Sequence, residues 1–152
     1  MLTRVIINAF FGLCVFLVGV NVVNATALGV SPVRVTLSDK QKMGTLTVRN
    51  DGAEPVPMQL EVLNWSKEEG NDVFTPTREL IVNPPIFTIP AGGSQMIRVG
   101  LRGAPDAQRE LTYRIFLQEL PPPPNPDFNG TKMLMRVSLP VFVLPKVAAK
   151  PL

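Results

Sequence analysis

Side chains that ordinarily carry chemistry are thinly represented. No histidine occurs among the 152 residues. That removes Ser–His and Cys–His nucleophile pairs, imidazole metal sites and the commonest general base. The one cysteine, Cys14, lies inside an apolar N-terminal run. If that run is removed, no thiol is left for a disulfide, a thiolate metal site or redox work. Asp106, Glu110 and Glu119 are scattered carboxylates without metal-ligand spacing. No cofactor and no metal are expected, and no acid–base or nucleophile constellation argues for an enzyme.

What remains is charge and apolar surface. Fifteen basic against twelve acidic residues give a net charge of +3. That balance is too weak to argue for a nucleic-acid partner without a basic patch. The chain is 45% hydrophobic, enough for a core, and its length fits one domain. Sixteen prolines disfavour a helix bundle, because proline removes backbone donors and breaks helix interiors.

Residues 1–27 read as an export signal. Arg4 is a short positive region, Val5 to Val23 is mostly apolar, and Ala25-Thr26-Ala27 supplies an A-x-A cleavage site. A membrane anchor is the alternative, since the run is nearly long enough to span. Asn8, Asn21 and the small-residue ending favour cleavage after Ala27, which leaves no membrane association.

Beyond residue 27 the apolar period is two. Val33, Val35 and Leu37 alternate with polar residues, as do Leu46 and Val48, then Met58, Leu60 and Val62. Glu68 to Asp72 reads as a polar hairpin loop. Leu80 to Val82, Phe87 to Ile89 and Met96 to Val99 are further short strands. Leu111, Tyr113, Ile115 and Leu117 form one face of another, with Arg114 pointing away. A last strand is expected over Met133 to Val143, after a stiff loop opened by Pro121 to Pro124. Seven or eight short strands with frequent turn signals predict an all-β, immunoglobulin-like seven-stranded antiparallel β-sandwich, with Trp65 suited to its core. In the last strand Met133, Met135, Val137 and Leu139 share one face, and Pro140 suits an edge. From the residues alone, that face either fills the domain's own sandwich or is offered to a partner lacking a strand.

Five blocks in order resemble a known family. They are Val30-Ser31-Pro32-Val33-Arg34-Val35, Leu46 to Asn50, Asn83-Pro84-Pro85-Ile86-Phe87 through Arg98, Tyr113 to Pro121, and Arg136 to Phe142. Together, over residues 28–145, they resemble the N-terminal domain of periplasmic pilus-assembly chaperones of the chaperone–usher pathway. The Tyr113-Arg114 and Leu139-Pro140-Val141-Phe142 variants point to the archaic, spore-coat-U-associated branch. The resemblance implies a periplasmic chaperone that binds fimbrial subunits by donating a strand and delivers them to an outer-membrane usher. Pilus chaperones are a standard instance of such strand addition. It further implies that Met133, Met135, Val137 and Leu139 enter the subunit's open groove, and that basic residues anchor the subunit's C-terminal carboxylate. Arg34 occupies the family's first-strand arginine position. The family's second anchor, a lysine on the last strand, is here Pro140, and Arg114 is the expected substitute. A guanidinium binds a carboxylate with two parallel hydrogen bonds. Asn83-Pro84-Pro85 is open to a cis or a trans peptide. In a bacterial protein, as the resemblance implies, the sequons Asn64-Trp65-Ser66 and Asn129-Gly130-Thr131 carry no meaning.

Members of that family have two β-sandwich domains. Residues 146–152 are therefore expected to begin a truncated interdomain linker. A truncated, non-functional chaperone and a secreted structural β-sandwich of pilin or adhesin type are the alternatives.

Overall fold

Alternation of apolar and polar residues builds two stacked sheets. The computed structural model describes residues 27–147. The expected export segment apart from Ala27, and residues 148–152 of the expected linker, lie outside the described residues. The strands are β1 (Leu28–Ser31), β2 (Val35–Leu37), β3 (Met43–Asn50), β4 (Val56–Glu68), β5 (Asn71–Pro76), β6 (Leu80–Asn83), β7 (Ile86–Ile89), β8 (Ser94–Leu101), β9 (Leu111–Glu119) and β10 (Arg136–Val143). One sheet has the order β1-β3-β8-β6. The other runs β2-β10-β9-β4-β5, with β7 also pairing β4. The result is an immunoglobulin-like β-sandwich.

The eight stretches read from alternation become ten strands for two reasons. The first strand divides into β1 and β2, much as the expected separate strands at Leu80 and Phe87 form β6 and β7. Each division moves the chain from the four-stranded sheet to the six-stranded one. Both occur at a proline, Pro32 or Pro84, which cannot donate to a ladder. The Ser31–Pro32 and Asn83–Pro84 peptides are both cis. The other reason is β5, which closes on β4 through a two-residue turn. Glu69 and Gly70 there have φ of 50° and 85°, the left-handed pair a tight hairpin turn needs.

Three further expectations are corrected. The sandwich is not wholly antiparallel: β2 runs parallel to β10, because the chain keeps its direction when it leaves the other sheet. Val33 is 69% exposed rather than part of the Val35/Leu37 face, since it lies in the crossover between β1 and β2. Trp65 is half-buried on the outer face of the six-stranded sheet, not in the core. Alternation along β4 already requires this: Val56, Met58 and Leu60 face inward, so odd-numbered positions face out.

The core is aliphatic, with Tyr113 as its one fully buried aromatic among the described residues. Val35, Leu37, Leu46, Val48, Ile97, Val99, Ile115, Leu117, Val141 and Val143 close around it. Each such side chain stabilises the fold by roughly 1.5–3 kcal/mol on full burial. One polar side chain is buried at an end of the sandwich. Asn50 Nδ2 donates to the carbonyls of Glu54 (2.7 Å), Ile89 (3.2 Å) and Pro90 (3.3 Å), and its Oδ1 accepts the Gly52 N–H (2.9 Å). It thereby ties the β3–β4 turn to the β7–β8 turn.

Asn50→Ala strands several of those backbone groups and should cost about 2–4 kcal/mol. The midpoint of urea unfolding measures this, and an unchanged midpoint contradicts the role. Tyr113 gives a pH signature. Its hydroxyl donates to Glu79 Oε2. Burial first, then the Glu79 carboxylate, push the phenol above its ordinary value of 10. The folded chain keeps this proton where the unfolded chain releases it. The group therefore leaves stability unaffected below the unfolded pKa and lowers it as pH rises beyond. Tyr113→Phe should flatten the decline from about pH 10 upward; equal declines in both proteins would count against it.

Candidate functional site

The last strand is covered unequally. β9 pairs β10 along its whole length, from Arg136 opposite Gln118 to Val143 opposite Leu111. On the other side β2 pairs only Val141 to Val143. Backbone polar groups point to alternate sides along a strand. The Met135 carbonyl accepts the Glu119 N–H at 2.8 Å, and the Leu144 N–H donates to the Leu37 carbonyl at 2.9 Å. Odd-numbered residues of β10 thus turn their backbone toward β9, and even-numbered residues turn away. Arg136 and Ser138 present theirs to a side where no described strand pairs. Pro140 has no N–H to offer and its carbonyl faces the start of the β2 ladder, where Val141 pairs Val35, so the free rim holds two donors and two carbonyls.

The expected row Met133, Met135, Val137 and Leu139 lies along this rim with graded burial. Met133 is 87% exposed, Met135 and Val137 are half-buried, and Leu139 is 5% exposed in the domain's own core. The strand begins at Arg136 rather than Met133. The row therefore starts in open solvent, before any ladder, and ends inside the sandwich.

Arg34 and Arg114 stand on the outer face of the same sheet. Arg34 lies just before β2, its guanidinium 5.1 Å from the centre of the Phe142 ring. Arg114 lies on β9 directly opposite Pro140 and stacks 4.1 Å over Trp65. The Trp65 and Phe142 rings meet edge to face at 6.4 Å, so the two arginines are joined through touching rings. Arg136 repeats the arrangement over Phe116 at 4.6 Å, and Phe116 meets Phe74 at 5.4 Å. None of the three arginines forms an ion pair among the described residues. Arg114 Nη1 reaches Ser138 Oγ at 3.5 Å, and its buried Nε has no partner. A cation over an aromatic face is held in place while its N–H edge stays available to an anion.

The nearby carboxylate is already engaged. Asp72 accepts the Trp65 indole N–H at 2.9 Å and pairs with Lys67 at 3.3 Å. The indole hydrogen bond, then Lys67 and Arg114, hold its carboxyl below the usual range. Leu63, Phe74, Phe116, Arg136 and Ser138 line a shallow groove of about 400 Å³ beside it. Arg136 and the ring seats are not among the expected site residues. The signal was present in the odd positions of β4 and the even positions of β9 and β10, which share one face.

The family model of pili and flagellar-assembly chaperones, PapD N-terminal domain, matches residues 27–149. The chain belongs to this chaperone family. No curated protein sequence matches it. Among solved structures, one similar chain comes from the chaperone–tip adhesion subunit pre-assembly complex CsuC–CsuE, of the archaic chaperone–usher Csu pili of Acinetobacter baumannii. It is 26% identical with a TM-score of 0.68, over 79% of this chain and 52% of that one. The E. coli chaperone DraB is 25% identical with a TM-score of 0.62, over 82% of this chain and 58% of its own. This member of the chaperone family thus spans little more than half the length of the solved chains it matches.

The stacking of Arg114 on Trp65 predicts a modest effect. Arg114→Ala should lower stability by about 0.5–1 kcal/mol, a cation–π loss, and change the emission of the only tryptophan. A loss several times larger would make Arg114 a structural residue rather than an available one.

Proposed function

We propose that this chain is the N-terminal domain of an exported, periplasmic chaperone that binds fimbrial subunits by strand donation and passes them to an outer-membrane usher. In this reading residues 1–27 are the cleaved signal, residues 28–145 are the subunit-binding domain, and residues 146–152 begin a linker. The observation that carries it is the uncovered rim of β10 beside an apolar row that runs out of the core. A subunit strand laid on that rim pairs with Arg136 and Ser138. Met133, Met135 and Val137 enter the subunit's groove. Leu139, already inside its own sandwich, marks where the two cores join.

Magnitudes explain why an ionic anchor accompanies the row. Three inserted side chains contribute roughly 1.5–3 kcal/mol each. Association costs about 4–15 kcal/mol. Ladder hydrogen bonds and a bidentate arginine contact are therefore needed. Arg34 and Arg114 are assigned to the subunit's terminal carboxylate. Their shared face, and the position of Arg114 opposite Pro140, support that assignment.

The test is recovery of a co-expressed pilus subunit from the periplasm. Arg34→Ala and Arg114→Ala should each reduce recovery at least about tenfold, as loss of one partner of a charge pair does. Met133→Asp, at an exposed site, should do the same while leaving the fold intact. Full recovery with both arginine variants removes the anchor, and full recovery with Met133→Asp removes the donor row.

A further inference from the structure

Glu119 is the most deeply buried charged side chain among the described residues, at 1% exposure, and nothing above gives it a function. It lies on the inward-facing row of β9, at the end where the chain leaves the sandwich. Three contacts converge on it. Its backbone N–H donates to the Met135 carbonyl at 2.8 Å. Its Oε2 accepts the Met135 N–H at 3.1 Å. Its Oε1 lies 3.9 Å from Lys132 Nζ. Both backbone polar groups of Met135 are thus held by this single residue, one position before the β10 ladder begins at Arg136.

We infer that Glu119 is a positioning residue that latches the start of the donated segment. The residues that enter from the long Pro121–Gly130 loop precede the β9 ladder, which holds β10 only from Arg136 onward. A one-residue slip would turn every odd side chain to the other face. By gripping both backbone groups of Met135, Glu119 carries the register of that ladder one residue further, and with it the face on which Met133 and Met135 stand. Lys132 supplies a counter-charge at the mouth of the site, where desolvation of the carboxylate would otherwise be costly. The inference rests on the strand-donation reading for its purpose. The latch itself exists without a client.

The experiment therefore uses the whole chain with no subunit present. Trypsin cleavage after Lys132, followed by mass spectrometry, reports opening of the segment, and urea unfolding reports global stability. Glu119→Leu removes the acceptor and should speed cleavage after Lys132 about tenfold. Glu119→Gln keeps an acceptor oxygen and should stay within about twofold of the parent. Cleavage at exposed sites elsewhere should not change in either variant. If Glu119→Leu does not fold, Met135→Pro removes the matching N–H from the other side and should give the same acceleration. Unchanged cleavage after Lys132 overturns the latch, as does equal acceleration by the leucine and glutamine variants. A subunit-binding assay then separates the two ideas. Faster nicking with undiminished binding leaves the latch standing and counts against strand donation.

Discussion

A strand hydrogen-bonded along one side only leaves half of its backbone polar groups to water or to a partner. In this chain that condition holds for the first four residues of β10, because β2 is three residues long and reaches no further than Val35. The length of β2 is set by the crossover at Pro32, which spends Pro32 to Arg34 in moving the chain between sheets. The open rim and the placement of Arg34 both follow from that one early departure.

An open rim is also an aggregation hazard, and the residues around it limit the risk. Pro140 removes one donor, Arg136 places a charge on the strand, and only a short stretch is left uncovered. The apolar row is managed in the same spirit. Its inner end, Leu139 with Val141 and Val143, belongs to the core and keeps the strand in register. Its outer end is solvent-exposed, yet Glu119 grips Met135, so the segment is held rather than left loose. The same strand can thus be part of the fold at one end and available at the other.

The outer face of the six-stranded sheet follows a different logic. Three arginines lie over the rings of Phe142, Trp65 and Phe116; Trp65 touches Phe142, and Phe116 touches a fourth ring, Phe74. Stacking restricts long side chains without consuming their hydrogen-bond donors, the arrangement that lowers the entropy cost of the proposed carboxylate contact. Asp72 could have neutralised this face, but its carboxylate is occupied by the Trp65 indole and Lys67.

Much of this was legible in the residues. Alternation of period two gave the sandwich, the inner face of β9 and the outward direction of Arg114. The absence of histidine and the proline-rich turns narrowed the functional class. Those properties are local, because side-chain direction in a strand depends on parity alone. What the sequence could not decide was long-range. Whether Leu139 lies in its own core, where β2 stops along β10, and that Phe142, Trp65 and Phe116 seat arginines from three different segments all depend on pairings between distant strands. Glu119 shows the limit most clearly. In the sequence it is one scattered carboxylate among several, and only the pairing of β9 with the segment before β10 makes it a buried acceptor for Met135.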